Sequence, residues 1–505
     1  MTGKEALYII LVYFALLIGI SYLTSLKSTK KSFFTGDRKS PWFLVAFGMI
    51  GATLSGITFI SIPGSVYEKG MLYMPMTFGF FFGYLAVAFI LIPLYYRLNL
   101  TSIYTYLRGR FGVFSFKTGA ISFLVSRIIG ASLRLYLVAQ VLEIFLFKPT
   151  GIPYWVGVLV TIGLIWVYTF KSGIKTIVWT DTLQTAAILF AAGATIYFLS
   201  TLNSDGFGGL FDTLEQSDML SFKGGMLKSE NPWLGMFNGV VFAIVMSGLD
   251  QDIMQKNLTC KNSKEASKNI FWFSVVLVPI NFAFLGLGIL LFETFMDNGD
   301  LTFQMVEKIN EFGEIVKEPL YQLRNGSEMV EVAKDQIYPS LAKFGYFPKW
   351  LSVVFLIGLI AAAYSSADSA LTSLTTSMCI DIFEKEDEKT RIFVHILMSF
   401  VLFGVIMVFK FINEDGIIWA LFKWTGFTYG PLLGLYSVGI LTKVKVNDFA
   451  VPFIAVFSAV SSFLLAHFLG LGFEILAING AITVIGLVVF KKRSKYNLDA
   501  DVLND

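Results

Sequence analysis

The chain is short of charge. Only 15% of its 505 residues are Asp, Glu, Lys or Arg, where a soluble domain usually carries about 25%. It has two cysteines: Cys260 in a polar connection and Cys379 inside an apolar stretch. That pattern suggests neither a disulfide framework nor a metal site. It has two histidines, His395 and His467, both within apolar stretches, too few for a usual zinc or histidine-based catalytic centre. They read as packed or pore-facing residues. The net charge is only +3, so no polyanion such as nucleic acid is implied as a partner.

What is present is hydrophobicity. Apolar residues make up 55% of the chain and aromatics 16%. They gather into thirteen stretches of spanning length, for which roughly 20 residues are needed. A leading span covers Ala6 to Leu26; its positive cluster, Lys27, Lys30 and Lys31, follows the apolar run, so it reads as a true helix and not a signal peptide. Spans 1 to 5 fall within residues 42–202, spans 6 to 10 within 233–441, and spans 11 and 12 within 449–490, with a tail at 491–505. These stretches predict an all-α polytopic membrane protein forming one transmembrane domain, with the lipid bilayer as its solvent. Two connections are long, Asn203 to Pro232 and Met296 to Lys349; in the second, Glu331 to Tyr338 reads as a short surface helix.

Charge in the short connections sets the orientation. Arg97, Arg108, Arg110, Lys256, Lys261, Lys385, Lys389, Lys443, Lys445 and the Lys491–Lys492–Arg493 cluster all fall on one side, and little beyond Lys69 and Lys148 on the other. Basic residues stay on the cytoplasmic side, which places the N-terminus outside and the C-terminus in the cytoplasm of the cell's inner (plasma) membrane.

Span 1 carries a polar, glycine-punctuated interruption, Gly51-Ala52-Thr53-Leu54-Ser55-Gly56-Ile57-Thr58. Lipid offers backbone groups no partners, so small and hydroxylated residues at mid-span predict a broken helix lining a cavity. Span 6 has a counterpart in Met246-Ser247-Gly248-Leu249.

Charges inside spans are costly, about 2.5–3.5 kcal/mol each on insertion scales. Asp250 and Asp252 read as marking the end of span 6 near cytoplasmic water. Arg127 and Arg134, seven residues apart on span 3, either pair with acids to hold helices together or grip solute. Asp181 in span 5 either pairs with an inner lysine or joins a cation site. Asp368 follows Ser365 and Ser366 in span 8, and either belongs to a network between small-residue faces or serves a cation. A small hard cation wants several oxygens. The two serine hydroxyls, the Ala362 carbonyl and carbonyls of Gly51 and Leu54 supply them, and Asp181 with Asp368 offers a second site or takes a proton.

At these residues the chain resembles the sodium:solute symporter family. The matching segments are Ala52 to Gly64, Gly173 to Gln184 with Trp179-Thr180-Asp181, Gly248-Leu249-Asp250-Gln251-Asp252 leading to Gln255-Lys256, Ala361 to Ser369, and Gly430 to Leu435. The resemblance implies a leading helix, two inverted five-helix repeats of the LeuT type and two trailing helices. It implies Na+ as the coupling ion, held by carbonyls of Gly51, Leu54 and Ala362 and hydroxyls of Ser365 and Ser366. It implies a second cation in some members at Asp181, Ser365, Asp368 and Ser369, although sialic acid symporters have serine where Asp368 stands. It implies solute contacts from Thr53, Ser55, Thr58 and Gln251, and from Arg127 or Arg134 as a carboxylate fork; the family arginine aligns with Gly130. The expected function is sodium-driven import of a small organic solute (a sugar, sugar acid or other carboxylate) by alternating access. A proton-coupled carrier is the close alternative. An enzyme is not expected, because neither histidine nor lysine neighbours Ser365 and Asp368 in sequence. A solute sensor is disfavoured by the short tail.

Overall fold

The computed structural model describes residues 3–26, 32–54, 56–170, 173–202, 205–220, 231–309, 315–412, 417–469 and 471–492. Ser55, Lys27, Lys30, Lys31 and the tail from Arg493 lie outside them.

The chain is mostly helical. Among the described residues, eight helices are long and apolar enough to cross a membrane, or ten if two bent pairs each count as one span. The leading span is Gly3–Ser25. Span 1 is Trp42–Thr53 followed by Gly56–Lys69, and span 6 is Pro232–Gly248 followed by Gln251–Asn257. Span 2 is Tyr73–Arg97, span 3 Val113–Thr150, span 5 Ile174–Leu202, span 7 Ser263–Asp297, and span 8 Lys349–Ile382. Span 9 is Glu388–Ile412 and span 11 Val451–Leu469. Tyr154–Thr169 and Ile475–Val489 are shorter apolar helices in the places of spans 4 and 12, and Ile417–Leu441 takes the place of span 10.

Burial sorts these helices. In span 8, 78% of the apolar window is buried, against 33% in the leading span and in spans 5, 9 and 11. Span 8 is therefore the central post, and its hydroxyls face protein. Leu11, Leu23, Phe89, Phe400, Phe453 and Phe457 remain exposed on the outer helices. That apolar surface suits hydrocarbon, which gains nothing from its removal.

Close helix contacts use glycine. A Cβ on Gly79 would overlap the Met236 carbonyl, and one on Gly239 would overlap that of Met76. Spans 2 and 6 thus approach backbone to backbone, as small-residue membrane interfaces allow. Asn479 of span 12 donates to the carbonyls of Phe427 at 2.7 Å and Gly426 at 3.1 Å, fastening that trailing helix to span 10. Beside the start of span 3 and the end of span 8, Lys117 and Arg108 bond to Glu384 at 2.7 and 3.0 Å and hold its carboxyl below the usual range.

The long connection before span 8 corrects one expectation. Glu331 and Val332 belong to a strand and not to a helix. β1 (Leu301–Ile309), β2 (Ile315–Asn325) and β3 (Glu328–Val332) form an antiparallel sheet in the order β1-β2-β3. The helical part of the expectation begins later, with a 3-10 turn at Lys334–Gln336 that runs into the helix Ile337–Phe344. The signals were local: Tyr321 and Leu323 are buried on one side of an alternating strand, and Gly326 has φ +67° in the two-residue link between β2 and β3. The sheet reaches the C-terminal end of span 1, where Glu68 pairs with Lys334 at 3.2 Å and accepts from Tyr321 at 3.3 Å.

Candidate sodium and solute site

Span 1 is interrupted where the sequence is rich in glycine and hydroxyls. Its first half ends at Thr53, Leu54 leaves helical geometry with ψ 22°, and the second half departs at 50°. A helix end releases its last carbonyls. The Ala52 carbonyl accepts from Ser366 Oγ at 3.1 Å, and that of Thr53 from Thr58 Oγ1 at 3.3 Å. Span 5 supports the break from behind. Thr185 Oγ1 accepts from the Gly51 amide at 3.0 Å and donates to the Asp181 carbonyl at 2.7 Å. A Cβ on Gly51 would overlap that hydroxyl, so only glycine lets the two helices meet here.

Ala362, Ser365 and Ser366 are buried on span 8, and Ser366 meets the break through the Ala52 carbonyl. Ser365 Oγ donates to Asp181 Oδ1 at 2.8 Å. The structure therefore brings Gly51, Leu54, Ser365, Ser366 and Asp181 together between spans 1, 5 and 8. Asp181 also has the lysine partner that one sequence reading allowed: Lys256 Nζ lies 2.7 Å from Oδ2, with both side chains buried.

Asp368 is held differently. Its Oδ2 accepts from Tyr168 Oη of span 4 at 2.9 Å, and its Oδ1 from the Ser369 amide at 2.6 Å. Phe14 of the leading span packs edge-on against Tyr364 at 4.7 Å. Gln184, with its amide carbonyl toward Tyr13, accepts from Tyr13 Oη at 3.1 Å and reaches Asp181 Oδ1 at 3.3 Å. Asp368 and Asp181 thus share one buried region, with Ser369 Oγ unpartnered beside them.

The break in span 6 is sharper, 68°, and is filled by protein. A π-turn at Ile244–Gly248 leads to Leu249 and Asp250, and Asp250 caps the following helix through the Asp252 amide at 2.7 Å. Tyr95 Oη donates to the Gly248 carbonyl at 2.8 Å, Tyr104 Oη to that of Leu249 at 3.0 Å, and Tyr429 Oη to Asp250 Oδ2 at 2.5 Å. Tyr84 Oη meets Ser247 Oγ at 3.1 Å. Four phenols therefore do here what water does for a helix end at a surface. The Tyr104→Phe change leaves the Leu249 carbonyl buried without that donor. It should cost about 1–3 kcal/mol, seen as a lower thermal midpoint of the purified protein.

Two expected solute contacts are occupied by the protein itself. Arg127 pairs with Asp252 and lies 3.8 Å from Asp250. Gln251 Nε2 donates to the Thr101 carbonyl at 2.9 Å and its Oε1 accepts from the Ile103 amide at 3.0 Å, so its amide braces the segment after span 2. Both arrangements have one cause: the short helix after the break turns its polar side chains into the fold. Arg134 is different. Its Nε is buried without a partner, and no ion pair or hydrogen bond engages its guanidinium among the described residues. Around it stand Tyr73, Tyr429, Asp250 and Arg127. Thr58 is buried and Thr53 half-buried at the span 1 break, and Ser55 lies outside the described residues.

A profile of the sodium:solute symporter family matches residues 33–428, most of the chain. The chain belongs to the sodium:solute symporter family. Among its relatives is the sodium/sialic acid symporter NanT of Aliivibrio fischeri (strain ATCC 700601 / ES114), 27% identical over 453 residues, spanning 84% of this chain and 80% of that one. Sodium-coupled monocarboxylate transporter 1 of Mus musculus is 24% identical over 460 residues, 89% of this chain and 69% of that one. A solved structure of a Na+-coupled sialic acid symporter in a substrate-bound outward-open state superimposes with a TM-score of 0.76. It is 21% identical and covers 97% of this chain and 99% of that one. The likeness establishes the LeuT-type fold. As a symporter of this family, the chain is a sodium-coupled transporter of a small solute and not an enzyme.

Proposed function

We propose that this symporter imports a small organic anion, with sodium bound at the broken span 1. The observation that carries the anion reading is Arg134, whose guanidinium has no hydrogen bond or ion pair among the described residues and stands near Arg127, Asp250, Tyr73, Tyr429 and Tyr84. A guanidinium in a water-poor site favours a carboxylate, which it can grip with two parallel hydrogen bonds. Relatives named for sialic acid and for monocarboxylates, both anionic classes, agree with this.

Sodium is assigned to the carbonyls of Gly51, Leu54 and Ala362 and the hydroxyls of Ser365 and Ser366. The Ala52 and Thr53 carbonyls already have hydroxyl donors, which leaves Gly51, in the last turn before the break, and Leu54, at the break, to turn toward an ion. Sodium would tie span 1 to span 8 from the outside, solute would bind beside Arg134, and the halves at 42–202 and 233–441 would move as the two repeats. The N-terminus is assigned to the outside and the C-terminus to the cytoplasm, from the basic connections.

The test is uptake of labelled carboxylates and neutral sugars into proteoliposomes under an inward sodium or potassium gradient. Concentrative uptake of a carboxylate in sodium alone is expected. Equal uptake in potassium removes the sodium assignment, and transport restricted to neutral sugars removes the anion assignment.

A further inference from the structure

Lys256 is a buried cation that the sodium site does not call for. Its ammonium lies 2.7 Å from Asp181 Oδ2, and both side chains are almost fully buried, 2% and 1% exposed. The other Asp181 oxygen accepts from Ser365, a proposed sodium ligand, at 2.8 Å. Lys256 is not a loose surface arm that happens to reach inward. It projects from Gln251–Asn257, and the flanking residues of that helix are pinned. Gln255 Nε2 donates to the Phe34 carbonyl and to Thr376 Oγ1, both at 2.9 Å, and Tyr96 Oη donates to the Asn257 carbonyl at 2.9 Å.

We propose that the Lys256 ammonium is a tethered substitute for a second sodium ion at Asp181, so that this symporter couples solute to one sodium per cycle. The proposal rests on the assignment of the first sodium to Ser365 and Ser366. Its physical basis is cation–cation repulsion. A sodium ion on the Asp181 carboxylate would sit within about 4–5 Å of the ammonium already there. In a site of low effective dielectric that neighbour weakens binding on the order of a thousandfold. An ammonium held by a folded helix carries little ordering cost and does not leave with the solute. It keeps the carboxylate paired through the cycle, whereas an unpaired buried carboxylate is costly. The consequence is a limit on accumulation, because only one ion's gradient drives each solute molecule.

The experiment counts sodium ions. Equilibrium binding of radioactive sodium to the purified full-length protein is measured alongside the sodium dependence of uptake in proteoliposomes. Wild type is expected to bind one ion with a Hill coefficient of about one. Lys256→Met keeps the aliphatic stem and removes the charge. It is expected to bind a second ion, steepen the sodium response toward a coefficient of about two, and lose that ion again in Lys256→Met/Asp181→Asn. Lys256→Arg is expected to keep the count at one. Two ions on wild type, or one ion on a folded Lys256→Met protein with Asp181 intact, overturns the proposal. If Lys256→Met does not fold, the wild-type count decides, with Asp181→Asn expected to leave it at one. A merely bracing Lys256 would change stability without changing the count. No sodium on wild type, or a count and affinity indifferent to Ser365→Ala, defeats the first-site assignment instead.

Discussion

Arg134→Ala is expected to abolish most anion uptake while protein still reaches the membrane. Removing one side of a desolvated charged contact costs about 2–5 kcal/mol, so apparent solute affinity should fall on the order of a hundredfold or more. Arg134→Lys should recover only part of it, because a point charge cannot make the two-bond fork. The contrast with Arg127 is what makes the prediction specific. Arg127 spends its guanidinium on Asp250 and Asp252, so its loss should appear mainly as instability. Solute-dependent thermal shift, run in sodium, separates the two: a folded Arg134→Ala protein that still responds to carboxylates at wild-type concentrations would exclude Arg134 from the solute site.

The Ser365→Ala change is expected to lower apparent sodium affinity by about ten- to a hundredfold, since a hydroxyl interaction with a charged partner is worth about 1.5–3 kcal/mol. Solute affinity should fall with it when measured at low sodium and recover at high sodium, because coupling between two ligands is reciprocal. A sodium titration of uptake that superimposes on wild type would return Ser365 to a packing role, as the donor to Asp181 and nothing more. The Ser365–Asp181 bond at 2.8 Å also means that this variant touches the Lys256 pair. Ser366, bonded instead to the Ala52 carbonyl at 3.1 Å, is the cleaner control, and Ser366→Ala should weaken sodium in the same direction.

The cost of coupling follows from the ion count. One positive charge moved through 100 mV releases about 2.3 kcal/mol, which supports roughly a fifty-fold solute gradient. A second ion would raise that beyond a thousandfold from voltage alone, less whatever an anionic solute spends against the same field.

Much of this protein could be read before any fold was known. Apolar run lengths place the spans. The Gly51–Thr58 interruption marks a break that the structure sets at Leu54, and Met246–Leu249 marks a second that it sets at Leu249 and Asp250. Tyr321, Leu323 and the Gly326 turn announce the three-stranded sheet, but its period-two alternation is short beside the apolar runs on either side. Other features had no local signal. Nothing near Asp250 in sequence foretells Tyr429, 179 residues away, and nothing near Asp368 foretells Tyr168, 200 residues away. Two arginines seven residues apart look equivalent until the helix beyond the span 6 break neutralises one of them.

Solvent preference is a property of each segment, so the sequence alone determined that this chain lives in lipid, where its helices run and where they must break. Pairing is a property of the assembled bundle. Which carboxylate meets Lys256, which arginine pairs with Asp252 and which carbonyls take a phenol were decided only when distant helices packed. In a medium without water each buried polar group must find its partner across the fold.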